Sequence, residues 1–118
     1  MSGEERRGSP RVAARCLVGY ARRLDVKRFA LLGVGTTIDV SETGIRLIVH
    51  EAVLDRSRLE LQLVLGGRPA RIEEARVVRV KALQNGLYEI GARFDQASRK
   101  ARATIAEYVE DHLARRAA

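Results

Sequence analysis

The sequence is poor in sulfur and in aromatic rings. Its 118 residues include one cysteine, Cys16, together with two Phe, three Tyr and no Trp. A single thiol forms no intramolecular disulfide and no cysteine-rich zinc site, so we expect Cys16 to be a buried structural thiol. The small number of rings leaves few platforms on which single-stranded bases could stack. This composition disfavours nucleic acid as a partner.

The chain also lacks a long hydrophobic segment. No run reaches the roughly 18 apolar residues that a membrane-spanning helix needs, and the first residues are charged rather than arranged as a signal sequence. We therefore expect a cytoplasmic protein with no membrane insertion. The length suits one domain, large enough to bury a core without disulfides or a structural metal.

Motifs for catalysis are missing as well. The sequence contains no nucleophile elbow, no phosphate loop and no paired cysteines. His50 and His112 are far apart and lack the companions of a metal site, so we interpret both as structural or surface residues. We expect a binding protein that is not an enzyme and that carries neither a metal nor a cofactor.

Positive charge is concentrated near the beginning of the chain. The net charge is +7, and residues 1–28 hold eight Lys and Arg against three Asp and Glu. Residues 29–95 hold nine of each sign, and residues 96–118 hold five cations against three carboxylates. A localised basic segment of this kind suits a small polyanion as well as it suits nucleic acid.

Apolar alternation and turn residues predict a mostly β structure. A flexible N-terminal arm at 1–10 is followed by a barrel at 11–95 and by a helix and tail at 96–118, in a single domain. The predicted strands are 12–20, 29–40, 44–50, 59–65, 71–82 and 88–94. Gly66-Gly67 and Asn85-Gly86 are typical of tight hairpin turns. The pattern predicts a six-stranded antiparallel β-barrel with a C-terminal α-helix.

The period changes after the last strand. Apolar residues at helical spacing predict an amphipathic helix from about Gln96 to Arg115, with Asp95 or Ser98 as its cap. The apolar stripe consists of Ala101, Ile105, Tyr108, Val109 and Leu113. This stripe either covers an open end of the barrel or forms a docking face for a partner or a second copy.

Two short motifs carry the chemistry. The first places Arg6 and Arg7 four to five residues before Arg11 in the arm, and the second is the run Asp39-Val40-Ser41-Glu42-Thr43-Gly44 at a turn. A guanidinium fork can grip phosphates and stack on a flat base. A carboxylate can accept two hydrogen bonds from the donor edge of guanine. Together the motifs indicate a site for an anionic guanine nucleotide, although arm arginines can also be merely solvated and the second run can merely build a turn.

At these residues the chain resembles the PilZ-domain family. The family pattern RxxxR is matched by Arg7 and Arg11, and the pattern D/NxSxxG is matched by Asp39, Ser41 and Gly44. The run from Ile90 to Phe94 is similar to the last barrel strand of the family, and the resemblance covers roughly residues 6 to 98. It implies binding of cyclic di-GMP (c-di-GMP), a bacterial second messenger with two phosphates and two guanines.

The resemblance also implies roles for individual residues. Arg6, Arg7 and Arg11 would contact phosphate and the acceptor edge or face of guanine. Asp39 would face the guanine N1 and N2 donors, and Ser41 would contact base or phosphate.

Three further residues complete the candidate set. The resemblance gives Gly44 a conformational role, which we interpret as a positive backbone torsion in the turn. Arg46 and Arg93 lie one residue off the apolar alternation, so they should project outward. For these two arginines, the sequence is equally consistent with contact to the ligand and with simple exposure to solvent.

The leading hypothesis is therefore a c-di-GMP receptor or adaptor that signals to an unidentified effector protein. The ligand would order the N-terminal arginine arm over residues 5–11 and alter a partner-binding surface. The alternative is a PilZ-like protein-interaction module without nucleotide binding, and a third reading is a small barrel that binds nucleic acid. The sequence does not decide whether the chain forms a homodimer, or whether it binds one ligand or a stacked pair.

Overall fold

The computed structural model describes residues 9–25 and 28–117. The strands in these ranges are β1 (Val12–Ala13), β2 (Leu17–Arg23), β3 (Phe29–Val40), β4 (Gly44–Val49), β5 (Arg58–Leu65), β6 (Arg68–Ala82) and β7 (Tyr88–Gln96). A short 3-10 turn, Gln84–Gly86, connects β6 to β7, and the helix α1 (Arg99–Ala117) follows. These bounds agree with most of the predicted elements.

The strands form one closed sheet. Their order is β1-β3-β2-β5-β6-β7-β4, and β4 also pairs with β3, so the six longer strands close into a barrel. All of the pairings are antiparallel. This confirms the predicted six-stranded antiparallel barrel with a C-terminal helix. The two residues of β1 add a short edge to β3.

The predicted first strand, 12–20, is wrong as a single element because a side chain interrupts its ladder. Thr37 of β3 places its hydroxyl oxygen 2.9 Å from the Cys16 amide nitrogen, and the same hydroxyl donates to the carbonyl of Ala14. The chain therefore leaves the regular ladder between β1 and β2. Alternation nevertheless continues through the gap, since Ala14 is buried and Cys16 is partly buried against the core. Cys16 is thus less buried than predicted.

The two predicted hairpin turns are confirmed by their backbone angles. Gly66 and Gly67 have φ of 57° and 82°, and Asn85 and Gly86 have φ of 64° and 74°. Gly66-Gly67 forms a two-residue loop between the paired residues Leu65 and Arg68, the kind of turn whose twist matches that of the flanking strands. Asn85-Gly86 belongs to a three-residue loop, closed by the hydrogen bond from the Leu83 amide to the Leu87 carbonyl. Both turns are therefore set by local sequence.

The barrel interior follows the alternation of the strands. Leu59, Leu61, Leu63 and Leu65 of β5 are all buried in one continuous core. On β6 two adjacent valines separate at a bulge, where Val77 is fully buried and Val78 is exposed. Successive strand residues point to opposite faces, so Val77 faces the core and Val78 faces outward. Val78 is the extra residue of the bulge, because Val77 pairs with Ala92 and Arg79 pairs with the next residue, Gly91.

Helix α1 packs on the barrel. Its first turn is capped by Ser98, whose hydroxyl accepts the Ala101 amide at 3.0 Å. The helix begins three residues later than predicted because β7 extends to Gln96. Ala101, Ile105 and Val109 are buried in the core, so the predicted stripe covers the barrel. Within the described part of the chain, no helix has both the length and the apolarity needed to cross a bilayer.

Candidate functional site

Two arginines converge on the carboxylate of Asp39. Arg11 donates from Nη1 to Oδ1 at 3.0 Å, and Arg46 donates from Nε and Nη2 to Oδ2 at 2.9 Å and 2.5 Å. The Asp39 side chain is 12% exposed, whereas that of Arg11 is 48% exposed. Charge-assisted bonds of this kind are about twice as strong as neutral ones. They join the N-terminal segment to the motif at the end of β3.

Arg46 is held from both sides. Its Nη1 donates to Oε2 of Glu89 at 3.1 Å, while its other nitrogens bind Asp39. The hydrogen bond to Asp39 raises the pKa of Arg46 above its ordinary value, and the charges of Asp39 and Glu89 act in the same direction. The guanidinium is thus a fixed cation whose donors are mostly engaged by carboxylates.

The sheet register explains this arrangement. Asp39 of β3 lies directly opposite Arg46 of β4, and Arg46 in turn lies opposite Gly91 of β7. Glu89 is two residues from Gly91 on β7, so it reaches Arg46 diagonally across the pair. Val40 points into the core, which places its neighbour Asp39 on the outer face.

The turn between β3 and β4 is built by Ser41. Its hydroxyl accepts the Thr43 amide at 3.2 Å and the Gly44 amide at 3.1 Å, and its own amide donates to the Gly44 carbonyl at 2.8 Å. Ser41 is only 1% exposed. A hydroxyl that satisfies the backbone in this way makes the turn rigid.

Gly44 is required for a reason other than the predicted one. The described glycines with positive φ do not include it, so the expectation of a positive torsion is wrong. A side chain at this position would instead place its Cβ 2.7 Å from the carbonyl oxygen of Ala92 on β7. Gly44 therefore allows β4 and β7 to approach closely beneath the turn.

A cleft of about 400 Å³ opens beside the turn. Its lining comprises Ser9, Arg11, Thr43, Gly44, Val78, Ala92 and Arg93. Arg93 lies directly opposite Gly44, and it makes no ion pair with any described residue. An arginine from the N-terminal segment and an uncompensated arginine from β7 thus face the same cleft, whose volume lies within the usual range for ligand pockets, about 300–1,000 Å³.

The two motifs, the barrel and the C-terminal helix follow one another in the order found in a known protein family. A sequence model of the PilZ domain matches residues 5–111. The chain belongs to the PilZ domain family. The match includes both motifs, the whole barrel and most of α1, and it confirms the resemblance drawn from Arg7, Arg11, Asp39, Ser41 and Gly44.

Solved PilZ structures share the fold. The inhibitor of motility MotI/DgrA from Bacillus subtilis has a TM-score of 0.71 at 14% identity, over 92% of this chain and 51% of that chain. The PilZ domain of Escherichia coli YcgR with c-di-GMP has a TM-score of 0.65 at 12% identity, over 93% of each chain. The MrkH–c-di-GMP complex of K. pneumonia has a TM-score of 0.60 at 19% identity, over 94% of this chain and 55% of that chain.

The similarity to these structures is limited in length and in sequence identity. This PilZ domain spans about half the length of MotI/DgrA and of MrkH, at 51% and 55% of those chains. At identities of 12–19% the likeness shows the fold alone. Comparison with curated protein sequences gives no significant match.

The structure brings most of the predicted site residues of this PilZ domain together. Arg11, Asp39 and Arg46 are in direct contact, while Gly44 and Arg93 line the adjoining cleft. Arg6 and Arg7 lie outside the described residues. Ligand contact by any of these residues stays a prediction, and for the almost fully buried Ser41 it would require the turn to open.

Sequence reasoning missed two members of the site. The alternation of the predicted strand 88–94 places Glu89 on the outer face. Its contact with Arg46, however, depends on the register between β4 and β7. Val78 lines the cleft and is the extra residue of the bulge in β6, a feature that the adjacent valines in the sequence do not indicate.

The two histidines do not join the site. His112 of α1 stacks on Tyr108, with ring centroids 4.1 Å apart, and its Nδ1 lies 3.0 Å from the Tyr108 carbonyl oxygen. His50 is exposed at the end of β4. Among residues 9–25 and 28–117, no group of three or more His, Cys, Asp or Glu is arranged to hold a metal ion.

Proposed function

We propose that this PilZ domain is a receptor for c-di-GMP. The observation that carries the proposal is the contact of Arg11 with Asp39 at 3.0 Å, which joins two motifs 28 residues apart beside a cleft lined by Arg93. Relatives of the same fold add support, since the solved structures of YcgR and MrkH are complexes with c-di-GMP. Binding is proposed to occur without turnover of the nucleotide.

The chemistry of the residues fits the two parts of this ligand. Arg11 and Arg93 offer guanidinium groups to phosphate or to the O6 and N7 acceptors of guanine. Asp39 offers carboxylate oxygens to the guanine N1 and N2 donors. Arg6 and Arg7, which precede the described residues, would add further cations by the family pattern. Adenine lacks this donor edge, so Asp39 is the element expected to select guanine.

The geometry suggests how binding would move the N-terminal segment. Oδ2 of Asp39 already accepts two bonds from Arg46, and Oδ1 accepts one from Arg11. A guanine edge that takes both oxygens would compete with the half-exposed Arg11 more readily than with Arg46, which Glu89 also holds. Arg11 would then exchange Asp39 for phosphate. We therefore assign Arg46 the task of positioning Asp39 rather than of contacting ligand.

That exchange provides a signal for an effector. Arg11 directly precedes β1, so a new position of its side chain would carry residues 5–11 over the ligand. The reorganised segment would create or remove a surface for an effector protein. Calorimetry separates this receptor from the alternative, an interaction module that binds protein but no nucleotide.

Calorimetric titration tests the proposal directly. We expect saturable binding of c-di-GMP and no comparable binding of GMP, because only the cyclic dinucleotide offers two bases and two linked phosphates to both motifs. Arg11→Ala should weaken binding by roughly tenfold to a hundredfold, the effect of losing a bond to a charged group, about 1.5–3 kcal/mol. The thermal stability of this variant should be nearly unchanged, since Arg11 is outside the core.

A matched control is available at Arg68. It forms an exposed ion pair with Glu107 on α1, away from the cleft. Arg68→Ala should retain the affinity of the parent protein. Equal binding of GMP and c-di-GMP, or no binding of either, would reject the receptor.

Hydrogen exchange tests the proposed movement. Addition of c-di-GMP should increase amide protection over residues 5–11 and leave β5 unchanged, because β5 is already paired with β2 and β6. Protection of residues 5–11 that is equally high with and without nucleotide would contradict the movement but not the binding.

A further inference from the structure

A second and larger concavity lies on a different face of the barrel. This groove, of about 650 Å³, runs between the outer face of β2, β3, β5 and β6 and the beginning of α1. It contains none of the motif residues. Three of its apolar side chains are exposed to solvent: Leu17 is 70% exposed, Val34 54% and Val64 53%. An exposed apolar cluster of this kind marks an interaction site more often than a random surface does.

The sheet register arranges the groove in two parallel rows. In one row, Val64 pairs with Pro69, and the β2–β5 register continued by one step brings Leu17 opposite Val64. In the other row, Gly19 pairs with Val34 on one side and with Gln62 on the other. The first row is apolar across three strands, and the second has a gap at its centre.

Gly19 creates that gap without any backbone need for glycine. Its φ is not in the positive range, and an added Cβ would meet only the Gln62 carbonyl oxygen, at 3.9 Å. A strand normally gains from a β-branched residue at such a position. The missing side chain leaves a notch beside Leu17 and Val34 that could receive an apolar side chain of a partner.

The charge of the groove is of one sign. Its twelve lining residues include Arg71 and Lys100 but no Asp or Glu. Arg71 is paired with Glu60, whereas Lys100 forms no ion pair with any described residue. Because Lys100 has no carboxylate partner among the described residues and the lining has none to offer, the groove favours a partner whose apolar residues are flanked by carboxylates.

The spacing fits a helix laid across the strands. Neighbouring strands are about 4.8 Å apart, and one turn of α-helix rises about 5.4 Å. Successive turns of such a helix could therefore contact Leu17, Val64 and Pro69 in order, as in other helix-in-groove complexes.

Two other occupants fit less well. A second copy placed about a two-fold axis would set this groove against an identical groove, whose lining offers no carboxylate to Lys100. A lipid surface is better met by apolar side chains that protrude, whereas these line a concavity.

We propose that this groove binds an amphipathic acidic helix of a partner protein. This proposal rests on the proposed function in one respect, since the partner would be the effector of the receptor. Binding of the helix itself needs no nucleotide.

The test uses a synthetic peptide of about 18 residues, long enough to form helix, with leucines on one face and glutamates on the other. Methyl-detected NMR of the full chain, without nucleotide, should show saturable shifts centred on Leu17, Val34 and Val64. A peptide with lysines in place of the glutamates should bind at least about tenfold more weakly.

Three variants make the result specific. Leu17→Gln removes an apolar contact, and Gly19→Val fills the notch while keeping it apolar; each should weaken peptide binding by about tenfold or more. Leu54→Gln is the matched control, because Leu54 is 73% exposed but lies outside the groove. This control should bind like the parent.

Several outcomes would overturn the proposal. They are absence of peptide binding, equal binding of the lysine peptide, or full affinity in Gly19→Val. Self-association in sedimentation that Leu17→Gln abolishes would assign the groove to a second copy. Binding to vesicles of phosphatidylglycerol that Leu17→Gln abolishes would assign it to a membrane. Since no nucleotide is present, none of these results depends on c-di-GMP binding, which calorimetry measures separately.

Discussion

Replacing Asp39 by alanine is expected to weaken c-di-GMP binding by at least tenfold to a hundredfold and to reduce the preference for guanine. Each lost bond to a charged group is worth about 1.5–3 kcal/mol, and about 1.4 kcal/mol corresponds to a factor of ten. In the proposed complex this carboxylate is the acceptor for the guanine edge, and in the free protein it also holds Arg46 and Arg11 beside the cleft.

Titration with c-di-GMP and with cyclic di-AMP distinguishes these two contributions. If Asp39 reads the guanine donor edge, Asp39→Ala should lose more affinity for the guanine nucleotide than for the adenine nucleotide. An equal loss for both would mean that Asp39 acts only by positioning the arginines. Unchanged affinity and unchanged base preference would make it a structural residue of the strand end.

Two further variants test whether the loss of binding is specific to the carboxylate of Asp39. Asp39→Asn keeps one acceptor oxygen and the size of the side chain, so it should retain part of the affinity. Glu107→Ala removes a carboxylate that pairs with Arg68 on the exposed side of α1, and it should leave binding unchanged. Thermal unfolding of each variant is the check that the fold persists.

Truncation after Ser98 is expected to have the largest effect on stability. It removes the buried side chains Ala101, Ile105 and Val109 and exposes the core beneath them. Loss of one large aliphatic side chain from a core costs about 2–5 kcal/mol, and a whole domain is stable by only about 5–15 kcal/mol. The truncated chain should therefore be largely unfolded in circular dichroism.

A point variant keeps this prediction quantitative. Ile105 is 1% exposed, and Ile105→Ala should lower the free energy of unfolding by about 2–5 kcal/mol in a denaturant titration. Leu54→Ala is the matched control, because its side chain is exposed and such changes usually stay within about 0.5 kcal/mol.

Sedimentation of the same proteins addresses the other role considered for the helix. If Ile105→Ala leaves stability unchanged but abolishes an oligomer, α1 is a docking face rather than a cover for the core. The burial of Ile105 and Val109 within the barrel core favours the stabilising role.

The strands of the barrel were predictable because their signals are local. Alternation along β5, from Leu59 to Leu65, shows which side chains face inward whatever the neighbouring strand is. Gly66-Gly67 and Asn85-Gly86 specify turns through backbone angles that few other residues adopt. The helix was predictable for a similar reason, from the change to helical spacing, while the choice of Ser98 over Asp95 as its cap came from the structure.

The break between β1 and β2 was not predictable in this way. Alternation runs without interruption from Val12 to Tyr20, yet the hydroxyl of Thr37 replaces a part of the ladder near Cys16. Thr37 is 21 residues from Cys16 in sequence, and nothing in either segment indicates the contact.

The sequence by itself determined the fold class, the faces of most strands and the identity of the motif residues, because these follow from local periodicity and from side-chain chemistry. Only the tertiary structure decided which residues meet. The register of β3, β4 and β7 brings Asp39, Arg46 and Glu89 together, and the closeness of Ala92, not a positive torsion, explains Gly44. The same holds for the groove beside Gly19, since alternation shows which way a side chain points but not what lies across the sheet.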